Sequence, residues 1–146
     1  MEPTSTDDVL LHAIRLAMAV SVRAADEVGD VSTVQLRALT VLRSASGANL
    51  GRLAQEMGVT VSTASRLVDR LVVAGLADRR TSPESRREIR LSLTAEGERT
   101  LDRYDELRLA ELRTCLEHVP AEERDGVVTA LRALVAASAV AAAPAR

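Results

Sequence analysis

Ser62, Thr63, Ser65, Arg66 and Arg70 lie close together in the chain and carry the side chains best suited to contact nucleic acid. Ser and Thr hydroxyls are short and can approach phosphates or either base type. The guanidinium of Arg66 can meet guanine O6 and N7 with two parallel hydrogen bonds, a contact worth about 1–3 kcal/mol of discrimination. Further along, Arg79, Arg80, Arg86, Arg87 and Arg90 crowd into residues 79–90. An arm tipped with arginine can enter a minor groove, where a narrow width concentrates negative potential. Other chemistry is poorly represented. The sequence has no nucleophile elbow, P-loop, dinucleotide fingerprint or paired-His motif, so neither an enzyme nor a cofactor is expected. His12 and His118 are too few and too scattered for a metal site. The single cysteine, Cys115, rules out an internal disulfide and a Cys-based zinc site, and it reads as a small buried hydrophobe.

Charge is distributed in keeping with a local nucleic-acid footprint. All 19 basic residues are arginine and the chain carries a net charge of −2. Residues 51–93 hold eight arginines against five acids, a local charge of +3, and the remainder is at −5. A basic segment inside an acidic protein marks a patch, not a polycation. Aromatic residues make up 1% of the 146 residues, with Tyr104 as the one tyrosine and no Phe or Trp. Base stacking on aromatic platforms, as in single-strand and RNA readers, is thereby excluded. Apolar residues at 47% suffice for a core built of Leu, Val and Ala. No uncharged apolar run approaches the length of a membrane span, and the polar, acidic start lacks the pattern of a secretory signal. A cytoplasmic protein with no membrane partner is expected.

Helices must position these arginines. Residues 6–28 read as a first helix, with Val9, Ala13, Leu16, Ala17 and Val20 on one apolar stripe and Leu10, Ile14 and Met18 on another. Ser32 and Gln35 form a capping box that opens a second helix, residues 33–46, burying Leu36, Leu39, Thr40 and Leu42 or close neighbours. Asn49 caps a third, residues 50–57, which stops at Gly58. Thr60 caps a fourth, residues 61–74, whose buried side is Val61, Ala64, Leu67, Val68, Leu71 and Val72. Residues 77–80 and 88–93 form a hairpin, the second half alternating with Ile89, Leu91 and Leu93 on one side. Thr94 caps a fifth helix to about residue 118. Pro120 starts a sixth that buries Val127, Val128, Leu131, Leu134 and Val135, with an Ala-rich tail expected to fray from Ala136. Two apolar stripes on the first helix, and the apolar load of the last, exceed what one small subunit can cover. Homodimerisation is expected.

The third and fourth helices, joined by Gly58-Val59-Thr60, form a helix-turn-helix, and the Arg-tipped hairpin behind them makes it winged. Residues 48–94, with GRLAQEMGV, STASRLVDRLVVAGL and a wing closing on RLSLT, resemble the DNA-binding core of the MarR family of bacterial transcription regulators. The flanking helices match that family's layout. The resemblance implies a mainly α fold: a winged helix-turn-helix with long N- and C-terminal dimerisation helices. It divides the chain into an N-terminal dimerisation helix (1–32), a DNA-binding lobe (33–93) and C-terminal dimerisation helices (94–146).

The same resemblance assigns roles. Ser62, Thr63, Ser65, Arg66 and Arg70 match DNA-facing positions of the recognition helix, and Arg87 matches the wing arginine; Arg79 and Arg86 are expected to join them as DNA contacts from their place in the arginine-rich hairpin. Asp69 matches an aspartate that pairs with the wing arginine, Arg87. One departure stands out: the family's wing reads Asp-x-Arg before its second strand, and here it is Ser85-Arg86-Arg87. Ser85 can organise the turn through its hydroxyl but brings no charge. The implied function is a repressor that binds a pseudo-palindromic operator in double-stranded DNA. A small-molecule effector would sit in an aliphatic cavity edged by His12, Arg15 or Tyr104; Tyr104 could equally pack at the dimer interface. The competing class is a helical interaction module, an anti-repressor or adaptor that has lost DNA binding.

Overall fold

The computed structural model describes residues 5–45, 47–81 and 89–141. Its elements run α1 (Thr6–Val28), α2 (Thr33–Ser44), α3 (Leu50–Met57), α4 (Val61–Val73), β1 (Ala77–Thr81), β2 (Ile89–Leu93), α5 (Ala95–Glu117) and α6 (Ala121–Ala141). The fold is mainly helical with one two-stranded antiparallel sheet. The chain divides into two compact units, Met1–Arg108 and Leu109–Arg146.

Local chemistry fixes most of the boundaries. Ser5 caps α1 by accepting from the Asp8 amide at 3.1 Å. The capping box forms at α2: the Gln35 amide donates to Ser32 Oγ, and the Ser32 amide donates to Gln35 Oε1. Asn49 accepts from the Arg52 amide and Thr60 from the Thr63 amide, opening α3 and α4. Each such cap satisfies a backbone donor that the helix cannot, worth about 1 kcal/mol. Between α3 and α4 the chain reverses through Gly58, which is left-handed at φ 68° and ψ 34°. A Cβ is disfavoured there, and the Val59 amide closes the turn onto the Ala54 carbonyl.

The core of the first unit is aliphatic, as the sequence requires. Leu36, Leu39, Leu42, Leu53, Leu71, Leu91 and Leu101 are fully buried and come from α2, α3, α4, β2 and α5. Each contributes about 1.5–3 kcal/mol by leaving water. The sheet pairs Ala77 with Leu93 and Arg79 with Leu91. It is extended by the Leu91 amide, which donates to the Ala48 carbonyl just before α3. The wing strands are thereby tied to the helix-turn-helix through backbone bonds.

Several expectations change. α2 ends at Ser44, two residues early, because Ala45 leaves helical geometry at ψ 65°. It buries Ala38, and Thr40 stays exposed. On α4, Val61 and Val72 are exposed, since they lie at the edge of the stripe formed by Ala64, Leu67, Val68 and Leu71. α6 continues through the Ala-rich segment to Ala141, in line with alanine's helix propensity. Val128, Leu131, Leu134 and Val135 on α6 are exposed, not buried. On α1, Val20, Ala24 and Ala25 are buried, and both predicted stripes are otherwise left open to solvent. Cys115 is exposed, not buried.

Candidate nucleic-acid interface

The face of α4 opposite its buried stripe follows from helical spacing. Residues at i, i+4, i+7 and i+11 line up along one side of a helix. Ser62, Arg66, Asp69 and Val73 are such a set, and all four are exposed. Val73, at 89% exposure, marks the outward direction. Thr63 and Arg70 flank this line on one side and are also exposed. With Arg66 they border a small groove whose floor includes Val34, Met57, Val59 and Leu67. The exposed side of α4 therefore presents two hydroxyls and two guanidiniums outward, held from behind by buried Leu67 and Leu71.

The other flank of α4 is occupied by the wing. The Arg79 side chain, projecting from β1, places Nη2 2.8 Å from Asp69 Oδ1. The same nitrogen lies 3.0 Å from the Ser65 carbonyl and 3.3 Å from Ser65 Oγ. Arg79 is mostly buried in this position, and its Nε has no partner. The pair itself is worth little, about 1 kcal/mol or less, because Asp69 is 59% exposed. Its consequence is positional: β1 is pinned to the middle of α4, and the only carboxylate on α4 is neutralised.

This arrangement redistributes the expected roles. Ser62, Thr63, Arg66 and Arg70 come together on one accessible face. Ser65 is half-buried and engaged by Arg79. Arg79, expected among the DNA contacts, is instead turned inward onto α4. Its partner Asp69 was expected to bind Arg87. Ser85, Arg86 and Arg87 lie outside the described residues. Arg80 is exposed and pairs loosely with Asp78 at 3.4 Å. Alternation along β1 could have suggested the inward turn of Arg79: its neighbours Asp78 and Arg80 point to the opposite face.

A second feature of the same unit is a cleft of about 680 Å³ bordered by α1, α2 and the middle of α5. Ile14, Met18, Val22 and Val34 supply apolar walls, and Arg37, Tyr104 and Arg108 supply polar ones. Tyr104 is buried, with the Arg108 guanidinium 4.8 Å from its ring centroid. His12 and Arg15 do not line the cleft. His12 Nδ1 instead donates to the Asp8 carbonyl one turn back, at 2.8 Å. Arg37 and Arg108 went unnoticed in the sequence, because each meets the cleft only through long-range packing. Close by, Arg43 of α2 bridges to Asp102 at 3.0 Å and to Asp105, which also accepts from Arg108.

The MarR family model matches residues 31–89, which span α2 to the start of β2. The solved structure of RV1404 from Mycobacterium tuberculosis is 37% identical, covering 94% of this chain and 97% of its own, with a TM-score of 0.81. The chain belongs to the MarR family. It is a winged helix-turn-helix protein, and MarR-family proteins are transcription regulators. A curated relative, the HTH-type transcriptional regulator YfiV of Bacillus subtilis, is 29% identical over 105 residues. That match covers 72% of this chain and 66% of YfiV, so a third of YfiV lies outside it. A MepR mutant from S. aureus, solved bound to an oligodeoxyribonucleotide, shares the fold at 18% identity and a TM-score of 0.69. It is covered over 99% of its length by 92% of this chain.

Proposed function

We propose that this MarR-family transcription regulator binds a pseudo-palindromic operator as a homodimer, represses transcription there, and is released by a small-molecule effector. The observation that carries the reading is the exposed face of α4. Ser62, Thr63, Arg66 and Arg70 project outward, and the one carboxylate of that helix is neutralised by Arg79. Arg66 reads a base edge, the hydroxyls and Arg70 serve phosphates or bases, and Arg86 and Arg87 reach the backbone from the wing. Asp69 and Ser85 keep the wing in place. MepR, of the same fold, was captured on an oligodeoxyribonucleotide.

Dimerisation is supported by what each unit leaves uncovered. α1 exposes Val9, Leu10, Ile14 and Met18, each at 44% or more. α6 exposes Leu131, Leu134 and Val135 at 56% or more. Stretches of apolar surface of this kind mark association sites. Twofold symmetry would then set two recognition helices about one DNA turn apart, matching half-sites of a palindrome. The cleft offers the effector an aliphatic wall and two guanidiniums. An effector acts only through unequal affinity for the DNA-competent and DNA-incompetent states. Among the described residues no helix is long and apolar enough to cross a membrane, in keeping with action on DNA in the cytoplasm.

Gel shifts with fragments of the native genome at low and moderate salt test this reading. Retarded fragments are expected, and six to ten phosphate contacts would cost roughly 10³–10⁵ in affinity between 50 and 200 mM salt. A monomer by sedimentation that retards no duplex would refute it.

A further inference from the structure

α4 carries a single carboxylate, and it stands in line with the arginines. Asp69 is three residues beyond Arg66 and seven beyond Ser62, on the face that Val73 shows to be outermost. An unpaired carboxylate there would repel phosphates. Arg79 removes that repulsion while contacting one oxygen, Oδ1, and it holds the side chain from the wing side through its parallel bonds to Ser65. Among the described residues Asp69 has no other partner. A neutralised, immobilised carboxylate remains a strong hydrogen-bond acceptor.

Base-edge chemistry limits what such an acceptor can read. Carboxylates accept from the cytosine N4 amino group, arginine donates to guanine O6 and N7, and adenine is read in two bonds by Asn or Gln. α4 contains Arg66 and Asp69 but neither Asn nor Gln. Three residues of helix rise about 4.5 Å, close to the roughly 3.4 Å between stacked bases. Arg66 and Asp69 are thus spaced to address neighbouring bases. We propose that Asp69 is a specificity-determining residue that accepts from a cytosine N4 amino group beside the guanine read by Arg66. Arg79 is its positioning residue. The inference rests on the DNA-binding reading above and adds to it a G and C step at the centre of each half-site.

The test begins by selecting bound fragments from the native genome with the full-length protein, which yields the operator. Each operator cytosine is then replaced by a 2-pyrimidinone nucleotide, which lacks the N4 amino group. The wild-type protein should lose roughly five- to hundredfold in affinity at one cytosine per half-site. Asp69→Ala should be indifferent to that same replacement. Asp69→Asn should change the preferred pair at that position from C·G to A·T, a gain that unfolding or general weakening cannot produce. Arg79→Gln should lower affinity for all duplexes, and by less when Asp69 is already Asn. If fragments are selected but the wild type tolerates loss of every N4 amino group, the role of Asp69 is overturned and DNA binding stands. If no fragment is selected, the DNA-binding reading itself falls.

Discussion

Gly97→Ala separates tertiary packing from intrinsic propensity by the sign of its effect. In an exposed helix interior the change to alanine is favourable by about 0.8–1 kcal/mol. Gly97 is instead buried in the first turn of α5, and a Cβ built on it would lie 2.0 Å from the Leu76 carbonyl oxygen. Ordinary carbon–oxygen contacts run about 3.3–3.6 Å, so the Leu76 peptide would have to retreat by more than about 1 Å. Leu76 has little freedom. Its oxygen accepts from the Thr94 amide at 3.1 Å, and its amide donates to the Leu71 carbonyl at 2.9 Å. Overpacking of this kind costs about 1–3 kcal/mol, and the strained hydrogen bond adds about 1 kcal/mol. After the propensity gain, a net destabilisation of about 2 kcal/mol is expected. Urea unfolding at fixed protein concentration, followed by circular dichroism, reads it directly. Gly126→Ala is the control: it lies in α6 with nothing within 4 Å of the added carbon, and it should stabilise by about 0.8–1 kcal/mol. If Gly97→Ala matches Gly126→Ala in sign, α5 does not abut Leu76 as described.

Other perturbations address the interface and the joints. Arg66→Ala should lose about 1–3 kcal/mol of preference for the operator over a scrambled duplex in competition gel shifts, with a smaller effect on scrambled DNA itself. Equal losses on both would make Arg66 a phosphate contact. Leu134→Glu, at an exposed apolar position of α6, should convert dimer to monomer in sedimentation velocity, and an intact dimer would place the interface elsewhere. Thr94→Val removes the acceptor for the Gly97 amide and the donor to the Gly75 carbonyl at 2.6 Å. It should cost about 1–2 kcal/mol in urea unfolding, the loss of a good N-cap.

Short-range chemistry made much of this protein readable from its residues. Ser32 with Gln35, Asn49 and Thr60 announce helix starts because a side-chain oxygen reaches an amide only three residues away. Gly58 announces the turn because only a residue without Cβ is at ease in the left-handed region there. The exposed placement of Ser62, Thr63, Arg66 and Arg70 follows from the helical period of Ala64, Leu67, Val68 and Leu71. Burial was less legible: Val61 and Val72 are as apolar as Val68, and only their distance from the centre of the contact leaves them exposed.

The partners of the charged groups were beyond reach of such rules. Strand alternation sets Arg79 on the opposite face of the sheet from Arg80, but that Asp69 is the group it meets depends on how the sheet lies across α4. The cleft was anticipated at His12 and Arg15, yet Arg37 and Arg108 border it, since helices distant in sequence bring them there. The sequence by itself determined where the helices begin and broadly which face of each is apolar, since those depend on neighbours within a turn. Tertiary structure alone decided which arginine is spent on holding the wing and which are left to face outward. An ion pair depends on a few ångströms between side chains from separate elements, and no local period encodes that distance.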